Sequence, residues 1–232
     1  MNIVGIIGAM EEEVASLKQE MEIIEVKNYA SLDFYIGKMN NKDVVVVRCG
    51  IGKVNAAICT QLLIDKFNVT MIINTGVAGA VSSKLDIGDI VISSDAIQHD
   101  MDATGFGYKL GEIPRMKESI FKADENLIQI AKKASETIET DNKVYVDRVV
   151  SGDKFISDAN VKEKLSNDFQ GFCAEMEGAS IAHVCYLNNI PYVVIRSISD
   201  KADNSAEVNF AEFTEIAASN STKMIREMIN LL

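Results

Sequence analysis

Strand-like apolar runs alternate with helical patterns along most of the chain, and this alternation limits the fold more than any other feature. The runs fall at residues 3–7, 44–47, 71–73, 90–92, 144–150 and 192–198. Between them, apolar residues recur at helical spacing over 52–67, 125–138, 161–169 and 177–188, and again over 209–232. The pattern predicts an α/β fold with a mostly parallel sheet covered by helices. One stretch breaks it: residues 34–39 and 44–47 flank a polar Asn-Asn-Lys-Asp turn and read as an antiparallel hairpin. No repeat, low-complexity tract or Pro/Gly-rich linker intervenes, so residues 1–232 read as a single domain.

In such sheets ligands collect at the carboxyl ends of the strands. The residues there are Gly8-Ala9-Met10, Gly50-Ile51-Gly52, Asn74-Thr75-Gly76, Ser151-Gly152-Asp153 and Arg196-Ser197-Ile198-Ser199-Asp200. A net charge of −11 argues against a nucleic-acid groove or an anionic membrane surface as partner, and leaves a neutral or cationic small molecule open. No apolar run reaches the ~18 residues of a membrane span. The start of the chain lacks the basic segment of a signal peptide, so a cytoplasmic location is expected. Cys49, Cys59, Cys173 and Cys185 form no CxxC pair and read as buried free thiols of a reducing compartment. His183-x-Cys185 has no second pair at zinc spacing, and no metal site is expected.

The first strand-like run ends in a Gly turn followed by three carboxylates, Glu11-Glu12-Glu13. Met10, Val14, Leu17 and Met21 recur at helical spacing, which places the glutamates in the first turn of a helix, where its dipole favours negative charge. At about 100° per residue they fan over roughly 200°, with Glu12 pointing to solvent and Glu13 about 70° from the apolar stripe. Glu13 is therefore the one expected to enter a pocket, with Glu11 second.

Four other motifs compete for chemistry. VVVVRCGIGKVNAA has the look of a dinucleotide turn, but a lone GxG is weak, and no acidic residue closes the next strand, MIINTG. The following NTGVAGAV reads as a second Gly-rich turn that lets a ligand approach the backbone. In CAEMEGASIAHV, Glu175 and Glu177 sit at a helix start inside an apolar stretch, either complementing the helix dipole or accepting hydrogen bonds from sugar hydroxyls. In PYVVIRSISDKAD, Asp200 follows a strand as an N-cap or a functional acid, with Arg196 placed to orient it. Together, three strand ends supply Glu13, Glu177 and Asp200. Paired acids are the means of cleaving a glycosidic bond through an oxocarbenium-like transition state.

Taken in order, GIIGAMEEEV, CGIGKVNAA, INTGVAGAV, SGDKFI, AEMEGASIAHVC and RSISDKAD resemble the successive motifs of the bacterial 5′-methylthioadenosine/S-adenosylhomocysteine nucleosidases, within the nucleoside phosphorylase superfamily. The resemblance implies a single α/β domain around a mixed, twisted central sheet flanked by helices, a homodimer, nucleoside substrates and no cofactor. It implies that Glu13 activates the attacking water and that Asp200, helped by Ser199, protonates the adenine. Glu177 would hold the ribose hydroxyls, with Met176 against the sugar and Arg196 in the same site. Phe155 and Ile156 would meet the adenine, Gly79 would approach the nucleoside, and Met10, Ile51 and Phe210 would line the site. Ala103, Phe106, Tyr108 and Pro114, in the loop HDMDATGFGYKLGEIP, would reach the 5′-substituent in a neighbouring subunit. His99 and His183 would not be catalytic. The chain departs from the family at Val77, where many members carry Ser, and at Ala103, where Val is usual.

Three rivals remain at this level. A phosphorolytic relative would need cations where Glu11, Glu12 and Glu13 stand. A nucleoside-binding sensor would not need Glu13 or Asp200. A dinucleotide-dependent oxidoreductase would have to bind NAD.

Overall fold

The apolar runs form strands, and most extend beyond their β-branched centres. The computed structural model describes residues 2–138 and 141–232. In chain order its elements are β1 (Ile3–Gly8), α1 (Ala15–Glu20), β2 (Glu22–Tyr29), β3 (Leu32–Met39), β4 (Lys42–Arg48), α2 (Lys53–Phe67), β5 (Met71–Ala80), β6 (Ile90–Gln98), β7 (Ile120–Lys122), α3 (Glu125–Thr137), β8 (Val144–Ser151), α4 (Ala159–Phe169), β9 (Cys173–Glu175), α5 (Gly178–Asn188), β10 (Tyr192–Asp200) and α6 (Ala206–Leu231).

The sheet is mixed rather than mostly parallel. β1 pairs in parallel with β4 and β5, β5 with β10, and β8 with β6 and β9. The β10–β6, β5–β9, β2–β3, β3–β4 and β6–β7 pairings are antiparallel. Strands β10, β6, β8, β9 and β5 close into a ring of pairings, because β5 also meets β10. β1, β4, β3 and β2 continue from β5 as an open wing. Alternate side chains face two cores. Ile7, Ile72 and Phe34 pack with Leu63 of α2 and Ile181 of α5 on one face. Ile6, Ile73 and Ile195 pack with Leu127 of α3 and Met224 of α6 on the other. Burying one such side chain fully contributes about 1.5–3 kcal/mol.

The expected hairpin is β3–β4, turned by Asn40 and Asn41, both left-handed at φ +46° and +63°. Three features differ from the sequence reading. The helix expected from Glu11 onward is a single 3₁₀ turn over Glu11–Glu13, interrupted at Val14 and followed by the short α1. The turn tightens because the Glu13 carboxylate folds back onto the backbone of Ala9 and Met10. NTGVAGAV is not a turn: β5 runs straight through Gly76 and Gly79, paired with β10. β2, an edge strand exposed along nearly its whole length, carries no apolar alternation to announce it. Among the described residues no helix is long and apolar enough to cross a membrane.

Candidate active site

The carboxyl ends of β1, β5 and β10, with the β9–α5 turn, enclose a cavity of about 350 Å³. Met10, Glu13, Ile51, Gly79, Phe155, Met176, Glu177, Ser199, Asp200 and Phe210 line it, and Ile156 lines a small recess continuous with it. Each was expected near the site, most of them through the family resemblance. Phe155 and Phe210 stand edge to face across the opening, 5.5 Å apart.

Glu13 is held by three backbone donors. Its Oε2 accepts from Ala9 N (2.6 Å) and Met10 N (2.9 Å), and its Oε1 from Val77 N (3.0 Å). The contact at Val77 is made by the main chain, so the departure from Ser there leaves it in place. Burial raises the Glu13 pKa above its ordinary value, against the pull of Arg196 and the three N–H groups.

Arg196 does not orient Asp200. Its fully buried guanidinium turns to the other acids: Nη2 donates to Glu175 and to Asn74 Oδ1 (2.7 Å), and lies 3.7 Å from Glu177 Oε2. It stands behind the cavity wall. Of the two acids at this helix start, Glu175 takes the capping role. Glu175 ends β9 and caps α5, accepting from Glu177 N (3.0 Å) and Gly178 N (2.7 Å) as well as from Ser151 Oγ. Burial pushes its pKa up, but Arg196, Ser151 and Gly178 outweigh burial and hold it low. Glu177 keeps a carboxylate toward the cavity and accepts from Gly52 N (2.8 Å). Burial, then the neighbouring Glu175 charge, push it up to about 8.

Asp200 sits at a bulge in the β5–β10 ladder, between Ile198 and Asp200, which re-aims its side chain. Its Oδ1 accepts from Ala202 N (2.8 Å) and its Oδ2 from Ser199 Oγ (2.9 Å). Burial raises its pKa against these two donors. A Cβ at its partner Gly79 would lie 2.7 Å from Asp200 Oδ1.

Sequence reasoning missed a ring of contacts behind the site. Lys53 Nζ meets Asp100 Oδ1 (2.6 Å), Asp100 Oδ2 accepts from Asp153 N (2.9 Å), and Asp153 Oδ1 accepts from Lys53 N (2.8 Å). The ring joins the ends of β4, β6 and β8, which carry Gly52, the 100–114 loop and Phe155. Only the position of Lys53 and Asp153 just past strand ends hinted at it.

Ala103, Phe106, Tyr108 and Pro114 lie outside this chain's cavity lining. Phe106 is 87% exposed, whereas Ala103 is buried in its own chain. His99 packs against Gly152 and edge-on to Phe169, and His183 stacks on Phe121, both away from the cavity. All four cysteines are free and buried.

Residues 3–230 of the chain that builds this mixed sheet match the model of the phosphorylase superfamily, and the chain belongs to that superfamily. The 5′-methylthioadenosine/S-adenosylhomocysteine nucleosidase of Staphylococcus haemolyticus is 43% identical over 99% of this chain and 100% of its own. The Neisseria meningitidis nucleosidase of the same name, solved with methylthio-immucillin-A, superposes with a TM-score of 0.96 at 38% identity, covering 100% of both chains. That of Colwellia psychrerythraea, solved with adenine, gives 0.95 at 39% identity, covering 100% of this chain and 96% of that one. Within the superfamily the chain is thus a member of the 5′-methylthioadenosine/S-adenosylhomocysteine nucleosidase family.

Proposed function

We propose that the protein hydrolyses the N-glycosidic bond of 5′-methylthioadenosine and S-adenosylhomocysteine, releasing adenine and the 5-thioribose product. The observation that carries this reading is the pair of buried carboxyl groups, Glu13 and Asp200, brought from distant strands to one cavity, each with a raised pKa. A raised pKa makes Glu13 a stronger base and keeps more of Asp200 in the acid form, the pairing an acid–base cleavage needs. Water attacks the anomeric carbon and gives its proton to Glu13. The bond to adenine N9 breaks as Asp200 protonates N7, so the base departs neutral. Glu177 accepts from the ribose hydroxyls, Phe155 stacks on the base, and Met10, Ile51 and Phe210 face the 5′ end. Arg196 acts from behind, holding the buried Glu175 ionised and pulling against the burial that raises the Glu13 pKa.

Water rather than phosphate is the nucleophile of this reading. Among the described residues the lining holds Glu13, Glu175, Glu177 and Asp200 but neither Lys nor Arg. A phosphate dianion would meet the ionised carboxylate of the base, and like charges 4 Å apart repel by about 4 kcal/mol at an effective dielectric of 20.

The functional unit of this reading is a cytoplasmic homodimer. Phe106 on its loop, Val54 and Ile58 on α2 and Leu187 on α5 are exposed apolar side chains suited to a second copy. Product analysis tests the reaction: adenine and methylthioribose should form from 5′-methylthioadenosine equally well with and without phosphate. A phosphate requirement, with a ribose 1-phosphate as product, would overturn hydrolysis.

A further inference from the structure

A second cavity, of about 570 Å³, adjoins the catalytic one, and the two share Ala9, Met10 and Ile51. It lies one step along the open wing, at the carboxyl ends of β1 and β4 beside the start of β3. The linings differ in kind. Beyond its acids, the catalytic cavity offers Met10, Ile51, Phe155, Met176 and Phe210. The second cavity carries Arg48, Lys18, Glu11, Glu12 and Asp33.

The two substrates of the proposed reaction differ only beyond the 5′ sulfur. One ends in a methyl group and the other in an α-amino acid, with an ammonium and a carboxylate. An apolar wall suits the methyl group. It cannot pair a zwitterion, whose charges are costly to desolvate without partners. With the base at Asp200 and Phe155 and the ribose at Glu177, the 5′ carbon faces Met10 and Ile51. A tail that passes these two side chains enters the second cavity.

We propose that the second cavity binds the α-amino acid end of S-adenosylhomocysteine, with Arg48 taking the carboxylate and Glu12 and Asp33 the ammonium. This rests on the nucleosidase reading and extends it to the group that separates the two substrates. Arg48 is suited to the task. Its side chain is 59% exposed and, among the described residues, is paired with Glu11 alone, at 3.9 Å, which leaves the guanidinium fork available for a bidentate carboxylate. Lys18 has another role: 13% exposed, it pairs with Glu11 and lies 4.9 Å over the Tyr35 ring, so it fixes the cavity wall. The methyl-ended substrate leaves the second cavity untouched.

The test compares kcat/KM for both substrates in the unaltered protein, Arg48→Ala and Arg48→Glu. Arg48→Ala should lower kcat/KM about tenfold for S-adenosylhomocysteine, through KM, as expected for one lost charge-assisted pair. 5′-Methylthioadenosine should stay within about twofold, as should 5′-(butylthio)adenosine, whose tail is long but uncharged. Arg48→Glu should widen the gap, and added salt should narrow it in the unaltered protein, since the contact is exposed. Equal losses on both substrates would place Arg48 in the fold or in a subunit contact and overturn the proposal, as would no loss on either. No turnover of 5′-methylthioadenosine by the unaltered protein would instead overturn the nucleosidase reading itself.

Discussion

A Cβ on Gly76 would lie 2.9 Å from Glu13 Cδ, and closer still to the carboxylate Oε1 and to Arg196 Nη1. The bare Cα of Gly76 is what admits Glu13, the proposed base, beside the Arg196 guanidinium. Gly76→Ala should therefore displace Glu13, cutting kcat by about 100-fold or more while overpacking costs about 1–3 kcal/mol of stability. Steady-state kinetics and urea unfolding on the same preparation separate the two effects. An active Gly76→Ala protein would contradict the assignment of Glu13.

Glu13→Gln and Asp200→Asn should each lower kcat by about 10²–10⁴, the usual contribution of a general base or acid. Adenosine analogues should still bind both variants, because the aromatic and ribose contacts remain. Calorimetric titration checks the binding arm.

The pH profile should be bell-shaped. Glu13 must be ionised, and its pKa is raised, so activity falls as pH drops toward a value above 4.5. Asp200 must be protonated, so activity falls again as pH climbs past its own raised pKa. Glu13→Gln should abolish the acidic limb of the residual activity, which a pH series of kcat/KM would reveal.

Glu177 links pH to stability. Its pKa rises from 4.5 to about 8 on folding, so the protonated form is the one that folding favours. Any stability it contributes is fully present below pH 4.5 and is lost as pH rises through about 8. Glu177→Gln removes that penalty, so its melting temperature should exceed that of the unaltered protein by a margin that grows from pH 4.5 to 8. A margin that shrinks over this window would refute the shift. The same variant should lose activity, because the ribose acceptor is weakened.

The Lys53–Asp100–Asp153 ring should tune binding more than chemistry. Asp100→Asn weakens two charge-assisted contacts that hold the loops of Gly52 and Phe155 together. A loss of about 1.5 kcal/mol there would raise KM roughly tenfold and leave kcat nearly unchanged. A fall in kcat at constant KM would show that the ring acts on the reaction step instead.

Much of the site was legible because its parts follow strands, and strand ends are easy to find from β-branched runs. Glu13 was singled out by α-helical arithmetic although its turn is 3₁₀, since either geometry sends the third glutamate inward and the second outward. The glycines of β5 were not legible. They resemble turn residues, but they make room for Glu13, Arg196 and Asp200, none of which is near them in sequence. Arg196 misled for a related reason: four residues of strand separate it from Asp200 by about 13 Å, too far for a contact. Its true partners, Asn74 and Glu175, come from other strands. β2 escaped notice because an exposed edge strand buries too little to show a pattern.

The closing of the strand ring also sets when the site can exist. Arg196 on β10 meets Asn74 on β5 across 122 residues of chain, and Asp200 enters only with that last strand. Contacts of such long sequence separation form late. On a ribosome, a nascent chain ending before residue 192 would carry Glu13, Glu175 and Glu177 but lack Asp200, the proposed acid, and the Arg196 guanidinium that pairs with Glu175 and lies beside Glu177. Refolding followed by circular dichroism and by adenine release should thus give two clocks, with helices returning first and turnover only when β10 seals the ring.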